Sequence, residues 1–485
     1  MKPEWRDRLR HIEAALMRDL YHPLGEIELS GFVTTEELSL EQAQRRERSA
    51  MPCGKEWGEA WQYAWMFGEI LLPEAARGER IVMNLDMGGE ATLFVDGHTF
   101  GTRRADWVSV PHHFYVDQWL TCDGAPGTRY QLAAEVYAGH PMPVEPLGGC
   151  ATGPVFPEDE PNVMRYAPAT MGKNSFGIWN EEAYQLWLDV RTLHDILEHA
   201  DAHSLRVELI EHGLNRFSVQ LDMEQPLAKR REAYKAARAG LASLMQAHNG
   251  SSAPLMYGVG NAHLDVCWLW NLPVTRRKTA RTFAQQLRLL DEYPEARFFQ
   301  SQPVLYEMCR EYYPDVFEGI KRQVAAGRWI ADGAMWVEPD TNMPCGEALV
   351  RQFLYGKRYF KEVFGVDSRL CWLPDTFGYS AVLPQILAGC DVDYLTTQKI
   401  FWTYNDADRF PHHAFTWQGM DGTRVRCYLH MEYESMVNAG TLIDKWNSRV
   451  ERDGTGKFLL PFGYGDGGGG PTRDDYEQIR READL

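Results

Sequence analysis

His263 and Asp265 stand two residues apart in the run Gly260-Asn261-Ala262-His263-Leu264-Asp265. If an extended strand carries them, their side chains share one face, and an imidazole beside a carboxylate can grip a divalent metal ion. Alone, H-x-D is a weak signal, for which a structural histidine beside a capping aspartate is the better reading; its place at a strand end is what gives it weight. Asp375, in Trp372-Leu373-Pro374-Asp375-Thr376-Phe377-Gly378-Tyr379-Ser380, reads either as a helix N-cap or as a carboxylate aimed into a pocket. Asp466 is the single acid of Tyr464-Gly465-Asp466-Gly467-Gly468-Gly469-Gly470-Pro471-Thr472, where five glycines in six positions permit close backbone approach. A linker is the plain reading of that stretch, but an apolar strand-like run leads straight into it, which favours a site loop. No Gly-Lys-Ser/Thr follows, so it is not a phosphate-binding loop. Aromatics, acids and amides interleave in Trp336-Val337-Glu338-Pro339-Asp340-Thr341-Asn342, in Lys399-Ile400-Phe401-Trp402 with Asn405, in Phe410-Pro411-His412-His413 and in His430-Met431-Glu432. Each could be an ordinary polar loop; gathered on one rim they would suit a sugar, whose apolar face stacks on aromatic rings.

These residues fall where predicted strands end. From about Pro254 the chain alternates candidate strands (255–260, 297–301, 329–333, 369–373, 393–397, 424–430 and 458–463) with amphipathic helices. Phe283, Leu287 and Leu290 mark one apolar stripe; Leu349, Phe353, Phe360 and Phe364 mark another. Repeated βα units predict a parallel sheet, and this many predict a barrel, whose active site lies at the strands' C-terminal ends. Upstream, a first helix is expected near residues 3–20. Short β-like runs follow to about residue 170, with a near period-two run over Ile81–Met87 and a hairpin at Asp96-Gly97. The expected organisation is an N-terminal β-sandwich (1–175), a helical connector (176–253) in which Leu186, Val190, Leu193 and Leu197 recur at helical spacing, and an α/β, seven-stranded β/α barrel (254–485).

Composition bounds the partners. With 68 acidic against 50 basic residues the formal charge is −18, which repels nucleic acid and anionic membranes. The nine cysteines are scattered, odd in number and without a C-x-x-C pair, against a disulfide framework or a cysteine zinc site. The N-terminus is charged and lacks the apolar core of a signal peptide, and no apolar run reaches membrane-spanning length. A cytoplasmic protein is expected, in which the sequon Asn249-Gly250-Ser251 would be silent.

Taken together, Asn261-Ala262-His263-Leu264-Asp265, Trp336-Val337-Glu338-Pro339-Asp340, Trp372–Ser380 and Gly465–Pro471 resemble glycoside hydrolase family 38, in its bacterial and cytosolic α-mannosidase branch. Each motif is weak by itself; four in this order are specific. The resemblance runs through Pro254–Thr472 and is looser over the β-rich zone. It implies a seven-stranded β/α barrel with one zinc ion held by His263, Asp265 and Asp375, and Asp375 doubling as the catalytic nucleophile. It places Asp466 as the acid/base candidate and Trp268 and Phe377 on the sugar subsite. Tyr379 stands where the other branch has histidine. Trp336, Asp340, Lys399, Trp402 and His430 complete the candidate substrate-binding set. The implied substrates are terminal α-D-mannosides; the metal set also admits cobalt or manganese, and a homo-oligomer stays open. The family's fourth zinc ligand is a histidine downstream of the barrel, and no histidine here sits in a matching motif. The chain is therefore expected to be a fragment, and a mannoside-binding fragment with impaired catalysis is the alternative from another class. A zinc deacetylase or amidohydrolase would want a second histidine close to His263, which His263-Leu264-Asp265 lacks.

Overall fold

Asp96 and Gly97 both take left-handed backbone angles, φ 50° and 83°, as a two-residue hairpin turn requires, and Val95 pairs with His98 across them. The hairpin belongs to a six-stranded antiparallel sheet in the order Ser49–Ala50, Ser30–Thr34, Tyr63–Leu71, Arg129–Tyr137, Ala91–Val95 and His98–Arg103. A four-stranded sheet (Tyr21–Glu26, Ser175–Trp179, Ile81–Asn84, Trp119–Thr121) packs on it. The expected β-sandwich is therefore present. The computed structural model describes residues 3–103, 119–140, 142–143, 164–165, 168–403, 410–452 and 456–483, so Asn405 lies outside the described residues.

The strand Ile81–Asn84 is buried on both faces rather than on one. Ile81 and Met83 point into the sandwich core beside Leu93 and Val136, whereas Val82 joins a larger core built with Trp179, Leu186 and Val190. That second core is the helical layer: Pro3–Arg18, then Glu181–His199, Leu205–Gln220 and Leu227–Met245. Asn180 and Ser204 cap two of these helices, accepting from Ala183 N and Val207 N, as short polar side chains do at N-caps. Glu181–His199 is buried along most of its length, with Glu198 and His199 exposed at its end; the final helix, Arg473–Glu482, reaches it through Arg473 on Glu181 at 2.8 Å and Arg481 on Asp189 at 2.7 Å.

All seven predicted strands of the last zone form, and those that pair with one another run parallel. They divide between two sheets. One has the order Trp329–Ala331, Phe298–Gln300, Leu255–Asn261, Lys457–Phe462; the other is Leu370–Leu373, Tyr394–Thr397, Arg424–Leu429, then Ala414–Gln418. The expected closed barrel ladder is not found among the described residues, for two reasons. Gly333 and Ala334 take φ 146° and 65°, which ends the third strand before it can pair with the fourth beyond a single bond, Trp372 N to Gly333 O at 3.4 Å. At the other gap an unforeseen antiparallel strand, Ala414–Gln418, occupies the edge of Arg424–Leu429. Backbone pairing with the last strand there is reduced to the Ser435–Phe462 bridge, beside a bond from Leu459 N to the Tyr428 hydroxyl at 3.1 Å. The domain is thus a mixed α/β unit whose strand ends still face one region.

Candidate metal centre

The first parallel strand stops at Asn261, so the strand expected to carry His263 and Asp265 does not continue through them. Another constraint aligns them instead. Leu264 pairs with Gly467 in an isolated antiparallel bridge, and Asp265 N donates to Asp466 O at 2.9 Å. The glycine loop is thereby stitched to the His263 loop, an approach that side chains would block. Gly468 has φ 78°, and a Cβ there would lie 2.5 Å from Thr282 Oγ1 and 2.8 Å from Leu264.

From these loops and the end of Leu370–Leu373, His263, Asp265, Asp375 and Asp466 each offer one ligand atom, all within 4.8 Å of one another. His263 Nε2 lies 3.3 Å from Asp265 Oδ1 and 3.3 Å from Asp375 Oδ2. Ligands bound tetrahedrally at zinc distances sit about 3.3 Å apart, so the donor spacing fits such an ion. The charges fit as well. Three carboxylates of the cluster, with Glu338 and Glu434 beside them, face the Lys399 ammonium, whose Nζ is 2.7 Å from Asp375 Oδ1. A divalent cation would balance that acid excess.

The electrostatics separate the carboxylates. Burial opposes the charged form of Asp375, but His263 and Lys399 outweigh it and hold its carboxyl below the usual range. Asp466 is pushed up, by burial first and then by the Asp265 and Asp375 carboxylates. Burial and the adjacent Asp466 also raise Glu434, to about 8. Burial alone would keep the His263 ring neutral; Glu338, Asp265 and Asp375 carry it well above the ordinary histidine value. Two buried carboxyls with opposed tendencies are a common mark of paired acid and nucleophile.

The remaining candidates divide. Lys399 Nζ stands 3.4 Å from the Trp402 ring centroid and 4.7 Å from that of Phe377, so both rings join the cluster's rim. Phe377 and Trp402 are about half exposed, as is Trp268, three residues past Asp265. Tyr379 bonds Thr397 and is pushed up to about 12, mostly by burial and in part by Asp375. Elsewhere, Trp336 packs edge-on against Tyr359 at 5.7 Å, and Asp340 accepts from Asn342 N and Met343 N, closing its own turn. His430 is wholly buried, stacked on Trp372 at 5.2 Å.

Three residues of the centre had not been assigned a role. Glu338, quoted only within its motif, puts Oε2 2.7 Å from His263 Nδ1. Tyr433 donates its hydroxyl to Asp466 Oδ1 at 3.1 Å and meets the His263 ring edge-on at 5.3 Å. Glu434 lies beside it. The signal for the last two is their place in the chain: they continue His430-Met431-Glu432 past the end of the strand Arg424–Leu429.

Residues 253–485, which hold every member of the cluster, match the glycosyl hydrolases family 38 N-terminal domain. That region is a glycoside hydrolase family 38 domain. Residues 25–104 match an alpha-mannosidase jelly roll domain, which agrees with the β-sandwich. The chain is similar to alpha-mannosidase 2C1 of Mus musculus, 29% identical over 94% of this chain and 42% of that protein. Alpha-mannosidase G of Dictyostelium discoideum is 35% identical over 63% of this chain and 28% of its own length. An alpha-mannosidase of Saccharomyces cerevisiae is 39% identical over 47% and 21%. The chain thus spans less than half the length of these curated relatives. Among solved structures, an alpha-mannosidase from Enterococcus faecalis V583 overlays 47% of this chain and 27% of its own at a TM-score of 0.41 and 20% identity, too loose a likeness to bear on the site.

Proposed function

We propose that this chain carries the catalytic centre of a zinc-dependent retaining α-mannosidase acting on terminal α-D-mannosides. The observation that supports it most is the placing of Asp375 and Asp466, whose oxygens come within 4.8 Å of each other in the same donor set as His263 and Asp265. Retaining glycosidases separate their two carboxyls by roughly 5–5.5 Å, whereas inverting ones leave room for a water between them. His263, Asp265 and Asp375 are the ion's holders in this reading; zinc, when bound, supplies a Lewis acid and a template for the sugar hydroxyls.

Asp375, kept ionised by Lys399 and His263, attacks the anomeric carbon and forms a covalent mannosyl-enzyme. Asp466, whose carboxyl burial and its acidic neighbours push up, gives a proton to the leaving oxygen and later takes one from the incoming water. Tyr433 fixes the Asp466 carboxyl through its hydroxyl. Trp268, Phe377 and Trp402, each about half exposed, offer ring surface to the apolar side of the mannose. The two sheets are read as the halves of the family's seven-stranded β/α barrel, met at Gly333–Trp372 and Ser435–Phe462, within a chain divided near residues 175 and 253. No described helix is long and apolar enough to cross a membrane; a cytoplasmic setting and mannose-oligosaccharide breakdown belong to the same proposal.

The test is hydrolysis of an activated aryl α-mannoside by the purified chain, before and after EDTA and then with zinc restored. EDTA-sensitive, zinc-restored turnover supports the reading. Mannoside binding with no zinc-restored turnover would replace it with a binding fragment of impaired catalysis.

A further inference from the structure

His263 has two ring nitrogens and only one can serve the metal cluster. Nε2 faces Asp265 and Asp375. Nδ1 faces Glu338 Oε2 at 2.7 Å, with the Glu338 side chain 7% exposed and that of His263 4% exposed. Apart from each other, both atoms are buried without a hydrogen-bonding partner. Glu338 is itself held on three sides. The Ser301 hydroxyl donates to its other oxygen, and its backbone N donates to Gln302 Oε1 at 3.1 Å. Gln302 Nε2 in turn donates to Leu264 O at 2.9 Å, and Gln300 Nε2 to Ala262 O at 3.0 Å. The end of the strand Phe298–Gln300 therefore ties the Glu338 carboxylate and both neighbours of His263 into one frame.

We propose that Glu338 is the positioning residue of His263, its carboxylate accepting a hydrogen bond from Nδ1–H and so keeping the ring proton on Nδ1, which leaves Nε2 as the metal-binding lone pair. A histidine ligand generally passes its second nitrogen to a carboxylate or carbonyl, which fixes the tautomer and turns the ring to the ion. Here the frame around Ser301 and Gln302 sets the carboxylate first. Glu338 touches neither sugar nor reacting atoms; it acts through His263. This inference rests on the metal reading of the site, and the experiment separates the two.

Zinc affinity of the purified chain is measured by competition with a chromophoric chelator, for wild type, Glu338→Gln, Glu338→Leu, Ser301→Ala and His263→Ala. Thermal unfolding of each in EDTA is recorded alongside. The expected result is a loss of about tenfold for Glu338→Gln, which keeps an acceptor but not the charge, and about a hundredfold for Glu338→Leu. The unfolding midpoint of the metal-free Gln variant should stay near wild type, which a purely structural role would not allow. Wild-type zinc affinity in both Glu338 variants would overturn the inference while leaving the metal site intact. If His263→Ala also binds zinc like wild type, it is the metal reading that falls. Should neither Glu338 variant fold, Ser301→Ala decides: a severalfold weaker affinity supports the positioning role, and an unchanged one overturns it.

Discussion

Asp375 and Asp466 sit in one buried cluster yet are pushed in opposite directions, and the difference lies in their neighbours. Asp375 has the Lys399 ammonium at 2.7 Å; for Asp466, burial and the Asp265 and Asp375 carboxylates outweigh His263 and the Tyr433 hydroxyl. Asp375→Asn should therefore abolish turnover, at least a thousandfold by order of magnitude for a lost nucleophile, while circular dichroism shows a retained fold. Appreciable residual hydrolysis would remove Asp375 from that role. Asp466→Ala should be selective. Turnover of mannosides with poor leaving groups should drop by roughly 10²–10⁴, and activated aryl mannosides should suffer far less in the glycosylation step. Equal losses on both would point to another acid, with Glu434, raised to about 8, the nearest choice.

At the scale of elements, the centre depends on loops that pair with each other rather than on the strands that launch them. The Leu264–Gly467 bridge and the Asp265 N to Asp466 O bond require the glycine run to lie flat against the His263 loop. Gly468 is a tight point of that approach. An alanine there faces both a left-handed φ of 78° and a Cβ 2.5 Å from Thr282 Oγ1. Gly468→Ala should displace Asp466 by a fraction of an ångström or more. Since misplacement of about 1 Å can cost on the order of 10²-fold, kcat should fall by roughly ten- to a hundredfold while the melting temperature moves by only a few degrees. A variant with wild-type kcat would show that the loop's path does not set the acid.

Over the whole molecule, the β-sandwich grips the helix Leu272–Glu292, which follows directly from the His263 loop. Lys278 and Arg281 reach Glu90 at 2.8 and 2.7 Å, Arg277 reaches Glu135 at 2.7 Å, and all three cations are buried. Burial works against the Glu90 charge, but Arg281 and Lys278 hold its carboxyl at about 2 against an ordinary 4.5. A carboxyl depressed by folding stabilises fully above its unfolded value and loses that contribution as pH falls toward the folded one. Glu90 should thus contribute roughly 3 kcal/mol above pH 4.5 and progressively less down to pH 2. Urea midpoints followed from pH 7 to 3 should drop more steeply in acid for wild type than for Glu90→Gln. Parallel slopes would mean that Glu90 is not held as a charged pair.

Much of this was legible in the residues alone, because it depends on local rules. Period and punctuation placed all seven strands of the last zone to within a residue or two, as with 297–301 against Phe298–Gln300. The Asp96-Gly97 turn and the first helix followed from backbone preference. Chain position past a strand end marked His263, Asp265, Asp375 and Asp466, because residues there must face one pocket whatever closes the sheet. What the tertiary structure decided was pairing across distance. The edge strand Ala414–Gln418, whose residues are at most half-buried, carries little apolar signal, and its place on Arg424–Leu429 opens the expected ladder. The burial of Val82 depends on helices about a hundred residues downstream. Glu338 beside His263, and Lys399 beside Asp375, are contacts between loops separated by 75 and 24 positions. A sequence specifies which side chains can donate, accept or bear charge. Only the packed chain brings a particular donor to a particular acceptor and removes the water that would otherwise satisfy both.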